Sequence, residues 1–469
     1  MDYQELGFKA GLEIHQQIEG LKLFCRCPAL VNDDATPNIS FKRKLRAAAG
    51  EMGVFDKAAL YEMKKDKVYE YDACSSSSCL IEADEEPPME VNKDALQVAL
   101  EVALLLHAHI VDEIHFMRKT VIDGSNVSAF QRSALVATDG YIDTSKGRVS
   151  IPTICLEEEA AKKLEEKPHV VHYRLDRLGV ALVEIATDAS IKDPEHAKEV
   201  ASLLGMVLRS TGKVKRGIGS IRQDVNLSTK GHPRVEIKGF QELRYMPLVI
   251  ENEVKRQMKE KGDAHVRKAN PDGTTTYLRP MPGAARMYPE TDVPPIIVTK
   301  ELIHSLTLPE LLDEKALRLE KRYKLSADLA REIVHEEIPL ETYLVFSSLE
   351  PAFIAQVLVN YPKEIKKRYN LDALQLREED YKQVLGCLDQ KQIAKEAVLD
   401  LLVDILQGKG LNIAKYKTVD EGTLEKELKA LAKANPGAPL NALMGDAMKK
   451  FRGKVDGKKI MDILRKLSS

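Results

Sequence analysis

Short segments in which polar and apolar residues alternate recur through the first half of this chain of 469 residues. In the first of them, Glu13, His15 and Gln17 alternate with the apolar Leu12 and Ile14, so a strand would place the three polar side chains on one face. Burying an acid, an imidazole and an amide is costly unless a metal, a ligand or one another satisfies them. Taken alone, this segment is equally typical of an edge strand with a solvated polar face.

A second segment is apolar at nearly every position, which is typical of a strand buried on both faces. It covers residues 180–186, and Glu184 is its only charged residue. Glutamate is almost never fully buried unless it is paired. Glu184 is therefore the strongest single indication of a functional site in the sequence.

Two later segments, residues 221–226 and 234–238, repeat the alternation. Their polar faces carry Arg222, Asp224, Asn226, Arg234, Glu236 and Lys238. Such strands predict a sheet with one charged face, where carboxylates hold Mg²⁺ and arginine or lysine binds phosphate, as phosphoryl transfer to an acid requires. The alternative is an exposed antiparallel sheet with cross-strand ion pairs. The number of such strands and the position of Glu184 favour the cleft.

Three adjacent carboxylates, Glu157, Glu158 and Glu159, follow a strand-like segment at residues 149–156. At the end of a buried strand they would be hard oxygen ligands for Mg²⁺. The alternative is that they begin a solvated helix over residues 160–166. The small polar turn within residues 120–127 is a weak candidate for an anion site, and an ordinary hairpin turn is the better interpretation.

A stretch rich in proline and glycine, residues 277–295, is predicted to be irregular. It carries the charged residues Arg279, Arg286, Glu290 and Asp292. Loops of this kind often contribute residues to binding sites, so we expect this stretch to line the cleft.

Four of the six cysteines form two close pairs, Cys25 with Cys27 and Cys74 with Cys79. Zinc takes four soft ligands in a tetrahedron, and two short loops can each supply two thiolates. The spacing predicts a structural zinc site, and the alternative is four incidental thiols. So few cysteines in so long a chain do not indicate a disulfide scaffold.

The bulk composition is that of a globular protein of about three domains. Lys and Arg number 70 against 72 Asp and Glu, so any basic surface must be local. The absence of a long apolar run and of a signal peptide leads us to expect a cytoplasmic protein. Strand patterns give way to helical ones near residue 296, which predicts an α+β fold with domains at 1–295, 296–374 and 375–469. The last of these carries a basic helical tail suited to phosphate backbones, although a solvated helix surface explains it equally well.

Several of these segments together resemble a known family. They are GLEIHQQIEGLKLFCRCP, LEEEAAK, LGVALVEIATD, RQDVN, RVEIKGFQELR and RPMPGAARMYPETD. They are similar to the family that comprises the archaeal E subunits and, more distantly, the bacterial B subunits of glutamyl-tRNA(Gln) amidotransferases. The resemblance extends over nearly the whole chain.

The resemblance implies an ATP-dependent carbon–nitrogen ligase that uses an amido donor. Such an enzyme phosphorylates the side chain of glutamate carried on tRNA(Gln), and ammonia then displaces the phosphate. It also implies a glutamine synthetase-like cradle domain with an antiparallel sheet, an all-α helical domain and an all-α YqeY-like tail domain that holds the tRNA. The implied partner is the asparaginase-like D subunit of the amidotransferase, which releases the ammonia, in a heterotetramer built as a heterodimer of dimers.

The resemblance also assigns residues. Those implied to be catalytic are Glu13, His15 and Glu184. Those implied to hold Mg²⁺ are Glu13, His15, Glu157 or Glu158, Glu184, Asp224 and Glu236. Those expected to bind ATP or the substrate are Arg222, Arg234, Lys238, Arg279 and Arg286. The paired cysteines Cys25, Cys27, Cys74 and Cys79 match the zinc position of the family.

The chain departs from the family in one respect. Archaeal E subunits usually carry a further domain, similar to one of bacterial aspartyl-tRNA synthetases, where this chain has only a short connection at about residues 261–270. Cys155 also stands where the bacterial subunits often have a histidine. Two alternatives to the amidotransferase are a glutamine synthetase-like ligase acting on a free acid and a non-catalytic, zinc-bearing RNA-binding protein.

Overall fold

The computed structural model describes the chain except residues 32–33, 48, 50–52, 241, 282–286, 417–418, 420, 436–437, 452–453, 456 and 469. The chain divides into two compact units, residues 1–310 and 311–469. The first unit combines sheets and helices and the second is helical, so the α+β prediction is confirmed. Within the described residues, no helix is long and apolar enough to cross a membrane.

The first unit contains most of the regular structure. Its described strands are β1 (Lys9–Gln17), β2 (Ile39–Arg43), β3 (Val68–Ala73), β4 (His109–Ile110), β5 (Glu113–Ile114), β6 (Phe116–Thr120), β7 (Phe130–Thr144), β8 (Gly147–Glu158), β9 (Lys162–Glu166), β10 (Val170–Arg174), β11 (Ala181–Ala186), β12 (Ile221–Ser228), β13 (Val235–Phe240), β14 (His265–Ala269), β15 (Thr275–Pro280), β16 (Met287–Pro289) and β17 (Ile296–Ile297). Its described helices are α1 (Lys57–Met63), α2 (Lys93–Leu105), α3 (Pro194–Ser210), α4 (Met246–Gln257) and α5 (Lys300–Ser305), with a 3₁₀ turn at Leu243–Tyr245.

A large sheet forms the centre of this unit. Its strand order is β15-β14-β13-β12-β1-β11-β8-β7-β6-β16, with β4 added beside β7. Its strand pairs are antiparallel except β13 with β14. The register of β1 places His15 opposite both Glu184 and Arg222, and Glu13 opposite Asp224. Residues at alternate positions share a face of a strand, so this register gathers the charged side chains on one side of the sheet.

The other face of the large sheet carries the apolar side chains. Leu12 and Ile14 of β1 and Val183 and Ile185 of β11 are all buried. Helix α2 packs against β7 and β8, and α3 packs against β1 and β7. Helix α3 begins at an N-terminal cap, because the side chain of Asp193 accepts a hydrogen bond from the backbone N–H of His196.

A second, four-stranded sheet has the order β2-β3-β10-β9, and β17 pairs with β5. Residues 160–166, which we considered as a helix, instead contain β9, because pairing with β10 satisfies their backbone groups. The stretch 277–295 is not wholly irregular either, because it includes most of β15 at a sheet edge and β16 beside β6.

The second unit is built from helices. They are α6 (Leu312–Tyr323), α7 (Ala327–His335), α8 (Leu340–Tyr343), α9 (Pro351–Tyr369), α10 (Glu378–Asp389), α11 (Ala397–Leu406), α12 (Ile413–Tyr416), α13 (Glu421–Ala434), α14 (Leu440–Phe451) and α15 (Gly457–Ser468), with a 3₁₀ turn at Ala373–Gln375. One apolar core extends from Ala316 to Tyr416 and another from Leu424 to Leu464. The boundaries at 296 and 375 stay predictions, and the first of these cores runs across the second boundary.

Candidate functional site

The charged face of the large sheet forms an open cleft of about 580 Å³. Most of its charged side chains come from β1, β8, β11, β12 and β13, with contributions from β6, from β15 and from the loop after β6. The charged or ionisable residues that line it are Glu13, His15, Lys119, Asp123, Glu157, Glu159, Glu184, Arg222, Asp224, Arg234, Glu236, Lys238 and Arg279. A concentration of acids and bases on one face of a sheet is typical of a site for a charged ligand.

The first carboxylate cluster consists of His15, Glu157 and Glu184. One ligand atom from each lies within 4.8 Å of the others. His15 Nε2 is 3.3 Å from Glu184 Oε2, and Lys119 Nζ is 2.6 Å from Glu157 Oε1 and 3.8 Å from Glu184 Oε2. An imidazole and two carboxylates converging in this way form a donor set for a divalent cation.

The ionisable groups of the first cluster shift one another's pKa values. Burial opposes ionisation of Glu184, but the hydrogen bond with His15 and the charge of Lys119 outweigh it and lower the pKa of that carboxyl. Burial, followed by the charge of Glu184, raises the pKa of Glu157. Burial also disfavours protonation of His15, but its contact with Glu184 raises the imidazole pKa overall. Two carboxylates forced together in this way favour a bound cation.

The second carboxylate cluster consists of Glu13, Asp224 and Glu236, whose ligand atoms again lie within 4.8 Å of one another. Lys238 Nζ is 2.6 Å from Asp224 Oδ2 and also contacts Glu236. Asn226 Nδ2 donates to Glu13 Oε1 at 2.9 Å. Burial, followed by the charges of Glu184 and Glu236, raises the pKa of Glu13. The second cluster thus supplies oxygen ligands only, which is the preference of Mg²⁺.

Glu159 lies in the cleft but is paired within the protein. Its two oxygens accept hydrogen bonds from Arg222 Nη1 at 2.6 Å and Arg222 Nη2 at 2.9 Å. Gln17 Nε2 donates to the same carboxylate at 3.1 Å. Burial opposes ionisation of Glu159, but Arg222 and Arg177 lower its pKa. Gln17, which the sequence pattern predicted on the polar face of β1, therefore supports the pair of Glu159 and Arg222 rather than a metal.

Two further predicted cations line the cleft, and a third lies outside the described residues. Arg234 and Arg279 face the cleft, and Arg279 Nε is buried without a hydrogen-bond partner among the described residues. A buried guanidinium N–H of this kind is costly unless a ligand accepts its hydrogen bond. The predicted role of Arg286 stays a prediction, because residues 282–286 are not described.

Glu158 is not part of either cluster. It alternates with Glu157 along β8, so its side chain points to the opposite side of the strand. There Arg132 donates to it from its backbone N–H at 3.1 Å and from Nη1 at 3.4 Å. Of the two alternatives, Glu157 or Glu158, only Glu157 stands beside the other predicted ligands.

Three of the four cysteines predicted to bind zinc lie together. Cys25, Cys27 and Cys79 converge with Glu82, with ligand atoms within 4.8 Å of one another. Cys25 Sγ is 2.9 Å from Glu82 Oε1. Burial and then the charge of Glu82 raise the pKa of Cys79 to about 11. Three sulfurs and one carboxylate suit a tetrahedral zinc ion, whose charge would favour the thiolates.

Cys74 does not join this cysteine cluster. Its sulfur instead accepts a hydrogen bond from Arg174 Nη2 at 3.2 Å. Spacing alone could not distinguish Cys74 from Glu82, because both lie within a few residues of Cys79. Lys119 was also missed, since nothing in its local sequence marks it. Only the pairing of β6 with β7, and of β7 with β8, brings it beside Glu157.

Comparison with known proteins gives two family matches and several close relatives. The GatB/GatE catalytic domain matches residues 8–304, and the GatB domain matches residues 340–467. The E subunit of the glutamyl-tRNA(Gln) amidotransferase of Methanosarcina acetivorans is 36% identical over 622 aligned positions, which cover 99% of this chain and 98% of the relative. The proteins of the same name from Methanocaldococcus jannaschii and Archaeoglobus fulgidus are also 36% identical, over 99% of this chain and 99% and 98% of the relatives.

The alignment with the Methanosarcina relative is longer than this chain. It spans 622 positions, whereas the chain has 469 residues, so at least 153 positions have no counterpart here. The chain therefore lacks the larger insert, and the predicted departure from the family is confirmed. Both family matches and the identity over nearly the full length nevertheless agree, and the chain belongs to the GatB/GatE family.

Proposed function

We propose that this chain is the amidating subunit of a tRNA-dependent amidotransferase, which converts glutamate carried by tRNA(Gln) into glutamine. One observation supports the proposal above all: two carboxylate clusters lie on the same face of one sheet, in one cleft, with a lysine beside each. Activation of a carboxylate by ATP requires cations that bind a polyphosphate next to an acidic substrate. The names of the archaeal relatives supply the substrate.

The donor sets fit Mg²⁺. The second cluster offers three carboxylates, and the first offers two carboxylates and an imidazole. His15, Glu157 and Glu184 would hold one ion, and Glu13, Asp224 and Glu236 the other. When bound, such ions neutralise the charge of the transferring phosphoryl group. This assignment leaves Glu159 to orient Arg222 and leaves Glu158 outside the metal sites.

The cations of the cleft bind and orient the phosphates. Arg234 and Arg279 lie in the cleft without an ion pair to another described residue, and Arg222 is held in place by Glu159. These side chains present guanidinium groups to the β- and γ-phosphates, for which they are well suited. Lys119 and Lys238 keep the two clusters from carrying a large uncompensated negative charge.

The chemistry proceeds in two steps. A carboxylate oxygen of the glutamyl side chain attacks the γ-phosphorus, the bond to the β-phosphate oxygen breaks, and ADP leaves. Ammonia then attacks the carbonyl carbon of the acyl phosphate, the bond from carbon to the phosphate oxygen breaks, and the nitrogen releases a proton. A carboxylate alone is a poor electrophile, which is why the phosphate leaving group is needed before ammonia can react.

The ammonia is proposed to come from an asparaginase-like D subunit in a heterotetramer. The described residues of the cleft include one histidine, His15, and its partner is Glu184 rather than a serine or cysteine. A nucleophile activated by histidine is the usual means of releasing ammonia from an amide. The cleft is therefore better suited to using ammonia than to producing it.

Two further parts of the chain are assigned supporting roles. The basic region of α14 and α15 at the end of the chain is proposed to contact the tRNA backbone. Lys449 and Lys450 of α14 and Lys454 of the connection to α15 lie among the described residues there. The cluster of Cys25, Cys27, Cys79 and Glu82 is proposed to hold a structural zinc ion. It would tie the loop after β1 to the segment that precedes α2.

The test uses the purified chain with ATP, Mg²⁺, an ammonium salt and Glu-tRNA(Gln). Free ammonia removes the need for the partner subunit, and glutamine recovered from the tRNA is the product to be measured. We expect turnover in the wild type and its loss in Glu184→Gln. The matched control is Glu165→Gln in β9, an exposed glutamate outside the cleft.

The same assay distinguishes the alternatives. Amidation of free glutamate in place of Glu-tRNA(Gln) would favour a small-acid ligase. Binding of tRNA without any turnover, even after addition of the ammonia-producing subunit, would favour a non-catalytic RNA-binding protein. Equal turnover in Glu184→Gln and Glu165→Gln would contradict the assignment of the cleft.

A further inference from the structure

One wall of the cleft is formed by residues 121–126, the first part of the connection from β6 to β7 and here called loop 121–126. The hairpin turn expected here is confirmed by the antiparallel pairing of the two strands. Asp123, Ser125 and Asn126 of this loop line the cleft. Neither carboxylate cluster includes a residue of the loop. Its contribution to the site is therefore separate from metal binding.

Three tyrosines of the four-stranded sheet fasten this loop through its backbone. Tyr69 donates its hydroxyl hydrogen to the carbonyl of Ile122, Tyr71 donates to that of Gly124, and Tyr173 donates to that of Asp123, each at 2.8 Å. All three tyrosines are buried. Burial raises the pKa of each hydroxyl, so each remains a donor.

The packing of the loop adds to these hydrogen bonds. A Cβ on Gly124 would lie 2.1 Å from the Tyr69 ring, and Gly124 has a φ of +86° that other residues rarely adopt. Val127 and Ala161 are buried in the same apolar core as the tyrosines, and the backbone N–H of Ala161 donates to the carbonyl of Ser125 at 2.8 Å. Such a clamp holds a short loop more rigidly than its own turn hydrogen bonds could.

The clamp fixes what the loop presents to the cleft. Asp123 Oδ1 accepts hydrogen bonds from the Ser125 backbone N–H at 3.0 Å and from Ser125 Oγ at 2.6 Å. The other oxygen of Asp123 remains an acceptor on a wall of the cleft. Carboxylates in this role commonly accept hydrogen bonds from sugar hydroxyls, as acidic residues of dinucleotide-binding sites do.

We propose that Tyr69, Tyr71 and Tyr173 are positioning residues, which hold loop 121–126 so that Asp123 accepts a hydrogen bond from an adenosine ribose. Adenosine occurs in both cosubstrates of the proposed function, on which this inference rests: in ATP and at the 3′ end of tRNA. The geometry supplies a fixed carboxylate acceptor on the cleft wall, and the experiment identifies which cosubstrate carries the ribose hydroxyl that it accepts from.

The experiment measures kcat and KM for ATP and for Glu-tRNA(Gln) in Tyr71→Phe, Tyr173→Phe and Asp123→Asn. Tyr141→Phe is the matched control, because Tyr141 stacks on His107 and makes no contact with the loop. Each enzyme is also assayed with 2′-deoxy-ATP, with 3′-deoxy-ATP, and with tRNA ending in 2′-deoxyadenosine. Loss of one hydrogen bond corresponds to an increase in KM of up to about tenfold.

The expected result is a higher KM for one cosubstrate, with kcat changed by less than about twofold, in all three variants but not in Tyr141→Phe. Asp123→Asn lies outside the apolar core and keeps the test valid should the tyrosine variants fold poorly. If ATP is the source, the wild type discriminates against one deoxy-ATP and Asp123→Asn does not. If tRNA is the source, that loss of discrimination appears with the deoxyadenosine-ended tRNA.

Equal discrimination in the wild type and Asp123→Asn with all three analogues would overturn the inference. So would tyrosine variants whose only change is a lower thermal stability, since that is the result expected of a purely structural clamp. A wild-type chain that fails to amidate Glu-tRNA(Gln) at all would refute the proposed function instead. The two failures are therefore distinguishable.

Discussion

Glu290 offers a sharp test of how the segment after the undescribed residues is held to the large sheet. Its carboxylate is fully buried and accepts hydrogen bonds from Arg118 Nη2 at 2.6 Å and Arg132 Nε at 2.7 Å. It also accepts one from the backbone N–H of Asp292 at 2.8 Å. Glu290→Gln would remove the charge that both guanidinium groups share.

The expected cost follows from these contacts. A hydrogen bond to a charged group contributes about 1.5–3 kcal/mol, and two are weakened here. Glutamine keeps one acceptor oxygen but turns N–H groups toward an arginine, so we expect a loss of about 3–5 kcal/mol, typical of a broken buried ion pair. Asp292→Asn is the control, because Asp292 also pairs with Arg118 at 3.0 Å but is half exposed. Its loss should be below about 1 kcal/mol.

The dependence on pH gives an independent check. Burial alone would raise the pKa of Glu290, but the hydrogen bond from Arg118, the Asp292 backbone and the charge of Arg132 lower it to about 2 from 4.5. A carboxyl whose folded pKa is lowered contributes stability that is complete above its unfolded pKa and is lost as the pH falls through the folded one. The difference between wild type and Glu290→Gln should therefore be constant from pH 7 to pH 5 and shrink toward pH 2.

The measurement is the free energy of unfolding in urea at several pH values, followed by circular dichroism. The two units could unfold separately, so the transition of the first unit is the one to compare. A loss in Glu290→Gln no larger than that in Asp292→Asn would refute the argument from burial. A loss that is the same at pH 7 and pH 3 would refute the argument from charge.

Three further predictions concern the cleft and the cysteine cluster. Arg222→Lys should lower kcat/KM for amidation about tenfold or more, because lysine cannot reproduce both hydrogen bonds to Glu159; an unchanged rate would contradict a positioned guanidinium. Cys79→Ser should lower the zinc content measured by mass spectrometry, whereas Cys74→Ser should keep it; equal loss in both would restore Cys74 as a ligand. Omission of Mg²⁺ should abolish amidation, and Asp224→Asn should raise the Mg²⁺ concentration needed for the half-maximal rate. The same half-maximal concentration in the variant and the wild type would exclude Asp224 as a metal ligand.

The sequence was most informative where its pattern was local. Alternation has a period of two in every strand, so the polar faces of β1, β12 and β13 were readable without knowledge of their partners. The near-continuous apolar segment around Glu184 likewise identified a strand at the centre of the sheet. The register of β1 then brought Glu13, His15 and Glu184 together with Asp224, and the pairing of β12 with β13 added Glu236, as the cleft hypothesis required.

The sequence was least informative where tertiary contacts decide between neighbours. Glu157, Glu158 and Glu159 differ little in sequence, yet one joins a cluster, one pairs with Arg132 and one pairs with Arg222. Continuing the strand of residues 149–156 through Glu158 would have separated the first two by alternation. No local signal marked Lys119, which reaches its site through strand pairing, and spacing alone did not favour Glu82 over Cys74 as the fourth ligand.

The absent insert raises the question of which property of the enzyme it would affect. We expect it between residues 261 and 270, where this chain passes directly from α4 into β14. Glu253 of α4 is buried and accepts hydrogen bonds from Arg256 Nη2 at 2.6 Å and from Thr275 Oγ1 at 2.7 Å. Arg267 of β14 lies 3.5 Å from the same carboxylate. These contacts join α4 directly to β14 and β15, the elements that follow the short connection.

The carboxylate clusters of the cleft do not depend on the position at which the insert is missing. The residues of both carboxylate clusters belong to β1, β8, β11, β12 and β13, all before the connection. A domain absent from that connection should therefore change tRNA affinity and leave the phosphoryl transfer intact. We expect this chain and the Methanosarcina acetivorans relative, assayed with saturating ammonium over a range of Glu-tRNA(Gln) concentrations, to differ in the KM for tRNA by more than in kcat. A large difference in kcat with equal KM would show that the insert supports the cleft itself. The contacts of Glu253 with β14 and β15 would then be insufficient to keep the cleft in its active geometry.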